Sequence, residues 1–185
     1  MSRIAPLSPP FPDHIQQHFD RVMPPGAAPL VLFTTIATSE RAWAKFRGGS
    51  LLDHGPLTLR QREIVINRTC ARAGCEYEWG VHVSAFAAAA RLTQEQVEAT
   101  VTGCSSSACW NAEEAVLLAT VDALHDRATL TAAEYQALTD HFNEEQILEI
   151  LLLAGFYRTV SYISNGLNLP LEASAARFPA LRAER

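Results

Sequence analysis

The chain has 185 residues, of which 48% are hydrophobic and 19% are charged, and its formal net charge is −5 at pH 7. This length suits one domain, so we expect residues 1–185 to form a single unit, and the composition excludes global disorder. The acidic balance and the scattered basic residues argue against a dedicated nucleic-acid binder, and the longest apolar run, 150–156, is shorter than the roughly 20 residues that span a bilayer.

Predicted helices follow one another along the chain after an extended N-terminal segment, 1–12. They cover, in chain order, about 13–23, 40–47, 58–73, 75–91, 93–101, 111–127, 131–142 and 143–165, with a further apolar segment at 30–37. Residues 171–185 read as a tail that could reach a neighbouring subunit. No segment shows the period-two alternation of a half-buried strand, so the predicted fold class is all-α with seven or eight helices.

Capping boxes mark the starts of five of these helices. In each, a Ser, Thr or Asn side chain precedes a Glu or Gln by three positions, the spacing at which the two residues can satisfy each other's free amide groups. The five pairs are Thr58/Gln61, Thr93/Gln96, Asn111/Glu114, Thr131/Glu134 and Asn143/Gln146. Gly74 is the expected stop of the helix that begins at Thr58.

The four cysteines are Cys70, Cys75, Cys104 and Cys109. The first twelve residues contain no continuous apolar stretch of the kind that secretion signals carry, so we expect a cytoplasmic protein with reduced thiols. The two C-x4-C pairs match zinc-ligand spacing only loosely, and we expect no metal site. No glycine-rich phosphate loop follows a strand, so no nucleotide cofactor is expected either.

Glu63 falls on the apolar stripe of the helix that begins at Thr58. At 100° per residue, Leu59, Ile66 and Cys70 share this stripe with it. A carboxylate on an apolar face is unfavourable unless it is paired or protonated. Glu63 is therefore a candidate functional residue, although pairing with Arg62 or Arg68 would explain it as well.

The next helix carries three titratable residues on one face. Cys75, Glu78 and His82 are spaced i, i+3 and i+7, which allows them to be neighbours. A histidine can carry a proton near neutral pH, and a helix N-terminus favours the thiolate of Cys75. The alternative is that Cys75 is a small core residue and His82 a core histidine with satisfied hydrogen bonds.

The stretch from Leu57 to Val97, LTLRQREIVINRTCARAGCEYEWGVHVSAFAAAARLTQEQV, resembles the carboxymuconolactone decarboxylase family, which includes the AhpD-type alkylhydroperoxidases. The matching residues are Leu57, Arg60, Arg62, Glu63, the Gly74-Cys75-x-Tyr77-Glu78-Trp79 segment, His82 and the Leu92-Thr93-x-Glu95-x-Val97 segment. The resemblance implies an all-helical domain that forms a homo-oligomer, as a dimer, trimer or hexamer, with a pocket between helices.

The resemblance also implies site residues. In the peroxidase branch a Glu, a C-x-x-C pair and a His form a thiol proton relay, and Glu63, Cys75 and His82 match the Glu, the first cysteine and the His. Glu78 occupies the position of the second cysteine, so no C-x-x-C disulfide can form on this helix. Cys70 could substitute only across Gly74, a placement that the spacing does not favour.

Three functions follow as expectations. The first is a cofactor-free acid–base enzyme acting on a small organic acid or lactone, with Glu63, Cys75, Glu78 and His82 as its catalytic residues. In this first function, Tyr77 and Trp79 line the substrate pocket, and the thiol of Cys75 has a depressed pKa. The candidates for binding a substrate carboxylate are Arg60, Arg62, Arg68 and Arg72. The second is a thiol-dependent hydroperoxidase that uses Cys75, and the third is a non-catalytic helical oligomer.

Overall fold

The computed structural model describes residues 2–180, and within this range it contains nine α-helices and no strand. The helices are α1 Asp13–Val22, α2 Val31–Ile36, α3 Glu40–Gly48, α4 Leu59–Arg72, α5 Glu76–Phe86, α6 Gln94–Thr102, α7 Ala112–Arg127, α8 Ala132–Thr139 and α9 Glu144–Gly166. The all-α class is confirmed. The expected number of helices was too low, because the apolar segment at 30–37 contains the short helix α2.

The capping residues that the sequence indicates start their helices. Thr58, Thr93, Asn111, Thr131 and Asn143 each cap a helix, and each forms the reciprocal pair of hydrogen bonds of a capping box. Helix α5 ends earlier than predicted, at Phe86 rather than near Arg91, and the chain then turns through 87–91, where Arg91 has a φ of 54°. With Arg91 in the left-handed region, the Leu92 amide donates to the carbonyl of Ala87 at 3.0 Å and the Leu92 side chain is buried, which turns the chain away from the helix axis.

Helix α4 lies at the centre of the fold, in contact with α5, α6, α7 and α9. Its residues from Glu63 to Cys70 are all buried, including the polar and charged ones. Arg68 is held by a two-pronged pair with Asp122 of α7, at 2.7 and 2.8 Å, and by the carbonyl oxygens of Thr100 and Gly103. These contacts fix α4 against α6 and α7, so its other face can present Glu63 toward α5.

Helix α9 is the one described helix that is long and apolar enough to cross a membrane by length and composition. Core helices of soluble proteins satisfy the same criteria, and α9 places Leu153, Tyr157 and Val160 in the core. Its opposite face exposes Leu148, Leu152 and Tyr162.

The two ends of the chain pack on the helices. In the N-terminal segment, the amide of Leu7 donates to the carbonyl of Thr34, and Arg3 contacts the end of α9. The C-terminal segment 171–180 lies along α5, where Ala176 donates to the carbonyl of Gly80. The described part of the expected tail therefore contacts its own chain, while Met1 and 181–185 lie outside the described residues.

Candidate acid–base site between two helices

Three ionisable side chains meet between α4 and α5. His82 Nδ1 lies 2.9 Å from Glu63 Oε2, and His82 Nε2 lies 3.5 Å from Glu78 Oε1. Gly74, with a φ of 60°, allows the tight turn that folds α5 back against α4 and brings these residues of separate helices together. The cluster that the sequence predicts from Glu63, Glu78 and His82 thus forms in the structure.

The imidazole of His82 is held in its charged form. The side chain is only 3% exposed, and this burial is the strongest single influence and by itself lowers the pKa. The hydrogen bonds and negative charges of Glu63 and Glu78 outweigh it and raise the pKa of His82 from 6.5 to about 9. At neutral pH this site therefore contains an imidazolium between two carboxyl groups.

Aromatic rings enclose the imidazole. The ring of Tyr157, from α9, meets His82 edge-on with centroids 5.0 Å apart, and the Phe86 ring lies 5.2 Å away. Burial, with the nearby charges of Glu78 and Glu63, raises the pKa of the Tyr157 phenol well above 10. Tyr157 is thus a neutral hydroxyl group next to the acid–base cluster.

Several buried polar atoms around the cluster have no hydrogen-bond partner among the described residues. They include Glu63 Oε1, Glu78 Oε2 and both amide atoms of Asn67, which lies one turn after Glu63. Arg62 Nε is 3.6 Å from Glu63 Oε1, too far for a hydrogen bond. Because buried polar groups are nearly always satisfied, these atoms are available to bind a polar ligand.

Cys75 lies beside the cluster, but the pKa of its thiol shifts in the direction opposite to the predicted one. It is fully buried at the N-cap position of α5, and burial raises the pKa of its thiol. The backbone amide of Glu78 lowers this pKa, while the carboxyl charge of Glu78 raises it again. The predicted depressed pKa of Cys75 is therefore wrong, because desolvation outweighs the helix N-terminus.

Tyr77 and Trp79 are both buried, and their polar atoms are bound within the fold. The Tyr77 hydroxyl accepts a hydrogen bond from the Leu32 amide at 3.0 Å and donates to the Glu172 carboxylate. Trp79 Nε1 donates to Thr100 Oγ1 at 2.9 Å, and its ring meets Phe178. A substrate-binding role for these two residues stays a prediction, and these contacts explain both without it.

Of the four arginines considered for a substrate carboxylate, Arg62 is the one that approaches the cluster. Arg60 pairs with Glu114 at 2.6 Å, and Arg72 contacts Asp122 and Asp126. Together with the Arg68 pair described above, these contacts commit three of the four guanidinium groups to α7. The fourth, Arg62, donates to the carbonyl oxygens of Leu52 and Asp53 at 3.0 and 3.4 Å.

The sequence analysis missed several polar residues of this region. Asn67 follows Glu63 by four positions on the same face of α4, and Tyr157, Ser161 and Ser164 lie on α9 at i, i+4 and i+7. All four side chains are buried. Polar residues recurring at helical spacing inside an apolar helix are the signal that could have identified them.

The site is enclosed. A surface cavity of about 350 Å³ lies between α7 and α9 and is lined by residues such as His125, Arg158 and Tyr162 rather than by the cluster. A small molecule could reach His82 only after surrounding side chains move. Among residues 2–180, no three His, Cys, Asp or Glu side chains are arranged to hold a metal ion.

Comparisons with known proteins agree with this fold. The model of the carboxymuconolactone decarboxylase family matches residues 37–122, which contain the whole cluster. A peroxidase-related protein from Silicibacter sp. TM1040 superposes with a TM-score of 0.82 at 18% identity, over 96% of both chains. An AhpD-core peroxidase-related protein from Ralstonia eutropha JMP134 gives 0.77 at 20% identity, over 93% of both.

A third similar structure is the debrominase Bmp8, with a TM-score of 0.73 at 19% identity over 91% of both chains. A cysteine-to-alanine variant of Bmp8 in complex with 2,3,4-tribromopyrrole is also similar, with a TM-score of 0.71 at 16% identity over 94% of both chains. No curated protein matches the sequence. At these identities the structural neighbours establish an AhpD-like fold.

Proposed function

Because the model of the carboxymuconolactone decarboxylase family matches residues 37–122, we propose that the chain is an acid–base enzyme in which His82 exchanges protons with a small organic acid or lactone. The observation that carries this proposal is the buried imidazole of His82, bound to Glu63 on one side and facing Glu78 on the other. The side chains of Glu63, Glu78 and His82, each of which can hold or accept a proton, therefore lie together in one enclosed site. The proton carriers are all side chains, so the reaction requires no cofactor.

The two contacts of His82 differ in length, and this difference suggests their roles. The 2.9 Å contact with Glu63 is a charge-assisted hydrogen bond, which orients the ring and stabilises its charge. The 3.5 Å contact with Glu78 is longer than a good hydrogen bond, so the Nε2–H of His82 is the donor that a substrate can engage. Glu63 is then a positioning residue, and His82 is the general acid.

A decarboxylation would proceed in two steps. The bond between the substrate carbon and its carboxylate breaks, carbon dioxide leaves, and the electron pair stays on the carbon as an enolate conjugated with the lactone carbonyl. His82 then donates its Nε2 proton to this carbon, and the neutral imidazole regains a proton from solvent through Glu78. Of the described arginines, Arg62 is the one that approaches Glu63, and to balance the substrate carboxylate it would leave the carbonyl oxygens of Leu52 and Asp53.

The direct test is a proton-exchange and decarboxylation assay. The purified protein is incubated in D₂O with carboxymuconolactone and, separately, with simple carboxylated γ-lactones, and NMR follows carbon dioxide loss and deuterium incorporation. We expect turnover by the wild type and a loss of at least about 100-fold in His82→Gln, the usual scale of general acid–base catalysis. Equal rates in both proteins would contradict the proposal.

A second candidate function, the thiol-dependent hydroperoxidase, is favoured by one observation: in the turn between α4 and α5, the Cys75 amide donates to the carbonyl of Cys70 at 2.8 Å. A peroxide-consumption assay on the wild type and Cys75→Ser separates it from the acid–base function. Negligible turnover by both proteins would remove it.

We also propose that the chain forms a homo-oligomer through α9. The exposed face of this helix carries Leu148, Leu152 and Tyr162, with exposures of 61%, 59% and 63%, and Gly155 and Thr159 complete the stripe. The spacing alternates between four and three residues, as in a coiled-coil seam, so the same face of a second copy could pack against it.

Light scattering should give a multiple of the chain mass for the wild type and the monomer mass for Leu152→Glu. Tyr135→Glu, on exposed α8, is the matched control, and a monomeric wild type would overturn this assignment.

A further inference from the structure

The cavity of about 350 Å³ between α7 and α9 contains an arginine whose charge is not balanced by a carboxylate. Arg158 of α9 lines this cavity, and its contacts among residues 2–180 are with neutral groups. Its Nε donates to the Tyr162 hydroxyl at 3.0 Å, its guanidinium lies 5.2 Å from the centre of the same ring, and its Nη1 donates to His125 Nδ1. These contacts orient the guanidinium group and leave its positive charge and its Nη2 donors available to a ligand.

His125 of α7 adds a neutral N–H donor beside this cation. Burial is the strongest influence and lowers the pKa of its imidazole, and the charges of Arg158 and Arg72 lower that pKa further. The carboxylates of Asp126 and Asp122 act in the opposite direction with a smaller effect. Because a guanidinium group can only donate, the Nδ1 atom that faces Arg158 is an acceptor, and the proton of the neutral ring is on Nε2. The Nε2–H group is then a second donor next to Arg158.

The two carboxylates that act on His125 are already paired. Asp122 is bound by Arg68 and Arg72, and Asp126 is bound by Arg72. Their negative charges are therefore balanced within the contact between α4 and α7. Among the described residues that line the cavity, Arg158 remains the unpaired charge.

A buried hydroxyl group on α4 also lacks a partner in this region. Thr69 lines the cavity and is only 5% exposed, and its Oγ1 atom has no hydrogen-bond partner in the described part of the chain. Buried polar side-chain atoms are nearly always satisfied, so an unsatisfied one in the wall of a cavity indicates a missing polar neighbour. A polar ligand atom in the cavity would supply that neighbour.

Much of the remaining lining is apolar. Helices α7 and α9 contribute aliphatic side chains, namely Val121, Leu124, Leu151 and Ala154. Apolar walls with a few convergent polar groups are typical of small-molecule sites, and a volume of about 350 Å³ is at the lower end of their range. One unpaired cation suits a single negative charge, and the aliphatic walls suit a hydrocarbon body.

We propose that this cavity binds a small monocarboxylate with an apolar body, such as a short-chain fatty acid, with its carboxylate on the guanidinium group of Arg158. The imidazole N–H of His125 and the hydroxyl of Thr69 are the further donors. The proposal does not depend on the acid–base function proposed above, because none of Glu63, Glu78 and His82 lines the cavity.

The first experiment compares three probes on the wild-type protein by isothermal titration calorimetry at neutral pH. Hexanoate has both the negative charge and the apolar body, hexan-1-ol has the apolar body alone, and inorganic phosphate has the charge alone. We expect hexanoate to bind with a Kd of about 1 mM or lower, and each of the other two to bind at least about 10-fold more weakly. Equal affinities for hexanoate and hexan-1-ol, or tighter binding of phosphate, would overturn the proposal.

A matched pair of arginine substitutions locates the charge that binds the carboxylate. Arg158→Gln should weaken hexanoate binding at least about 10-fold, because it removes a charged hydrogen-bond donor. Arg62→Gln, beside the acid–base cluster, should leave the affinity unchanged. The reverse pattern, with the affinity lost only in Arg62→Gln, would assign the ligand to the cluster, overturn this proposal and retain the acid–base function.

Thr69→Val tests the site without removing a charge. Valine has nearly the shape of threonine and lacks the unsatisfied hydroxyl, so the variant should fold with unchanged or higher stability. We expect hexanoate binding to weaken by about 3- to 10-fold, the usual scale for one hydrogen bond to a charged group. An unchanged affinity in both Thr69→Val and Arg158→Gln would overturn the proposal.

The cavity adjoins the α9 face for which a second copy is proposed above. Gly155 and Tyr162 belong to both, whereas the other lining residues come from α4, α7, the turn after α7 and the inner side of α9 of the same chain. Hexanoate should therefore bind equally to the wild type and to Leu148→Glu, a substitution on that face about three helical turns before Arg158. Binding confined to an oligomer would place the site between two copies and overturn its assignment to one chain.

Nuclear magnetic resonance of the ¹⁵N-labelled wild type gives the position of the ligand directly. The amide of Gly155 lines the cavity, whereas that of Gly48 is in α3 and away from it. Hexanoate should shift the Gly155 signal with the same Kd that calorimetry gives and leave the Gly48 signal in place. A saturable shift elsewhere with an unchanged Gly155 signal would overturn the proposal.

Discussion

Glu63 Oε2 and His82 Nδ1 lie 2.9 Å apart, although the two residues are 19 positions apart in the chain and belong to different helices. Both side chains are almost completely buried. Their charged pair therefore links α4 to α5, and the same contact that could orient a general acid also contributes to the stability of the fold.

The first prediction concerns the pH dependence of stability. The pKa of His82 is raised from 6.5 to about 9, so the folded state binds the proton more tightly than the unfolded state. The stabilisation is complete below pH 6.5 and is lost as the pH rises through 9. Urea unfolding of the wild type should show falling stability across this window, whereas His82→Gln should show a flatter profile. The exposed histidine variant His141→Gln is the control, and a profile of His82→Gln that parallels the wild type would contradict this pKa.

The second prediction tests the coupling within the cluster. His82→Gln leaves Glu63 and Glu78 buried without their cation, and removal of one partner of a buried pair costs about 3–5 kcal/mol. The double variant Glu63→Gln/His82→Gln should recover part of this loss, because one of the two buried carboxyl groups is gone. Chemical denaturation of the four proteins of the cycle measures the coupling.

If the effects of the two substitutions on the free energy of unfolding were additive, Glu63 and His82 would contribute no coupling energy. If His82→Gln abolished lactone turnover with unchanged stability, the interpretation of the chain as a non-catalytic oligomer that keeps the motif for packing would fail.

The third prediction concerns thiol reactivity in the reduced protein. Cys104 is exposed, and a hydrogen bond with the Ser106 hydroxyl lowers the pKa of its thiol, whereas burial raises the pKa of Cys75. Iodoacetamide at pH 7.5 should therefore alkylate Cys104 at least about 10-fold faster than Cys75, as thiolate reactivity requires. Mass spectrometry of the tryptic peptides 92–127 and 73–91 measures both rates, with fragmentation of the first peptide to separate Cys104 from Cys109. Ser106→Ala should slow the alkylation of Cys104 without changing that of Cys75. Faster labelling of Cys75 would show that its thiol is more exposed and more acidic than described.

Local signals in the sequence predicted most of the helices. The capping boxes at Thr58 and Asn143 identify helix starts because they depend on neighbours three residues away. Glu63 and His82 were identifiable as candidate functional residues because each is a titratable residue on an apolar stripe of a helix. The helical period of the sequence therefore predicted the acid–base cluster.

Other features depend on contacts between distant segments or on backbone geometry. Tyr157 approaches His82 only because α9 crosses both α4 and α5, and sequence spacing cannot show this crossing. Cys70 and Cys75 meet because Gly74 closes a Schellman motif, a backbone geometry that the count of five residues conceals. The raised pKa of Cys75 similarly reflects burial, which a helix position alone does not reveal.

The last prediction concerns the C-terminal segment 171–180. The amide of Ala176 donates to the carbonyl of Gly80, and a Cβ on Gly80 would collide with the carbonyl oxygen of Ala176, which is backbone and cannot rotate away. Gly80→Ala should therefore displace the segment, lower the melting temperature and speed tryptic cleavage after Arg177. Gly48→Ala is the matched control, because Gly48 is also in a helix, α3, and a Cβ there meets no atom within 4 Å.

In an open helical position, alanine is favoured over glycine by roughly 1 kcal/mol, so Gly48→Ala should keep or raise the melting temperature. Limited proteolysis at 25 °C, with the peptide released from the C-terminus followed over time, measures the displacement. Equal cleavage rates in Gly80→Ala and Gly48→Ala would show that the segment is not held by its approach to α5.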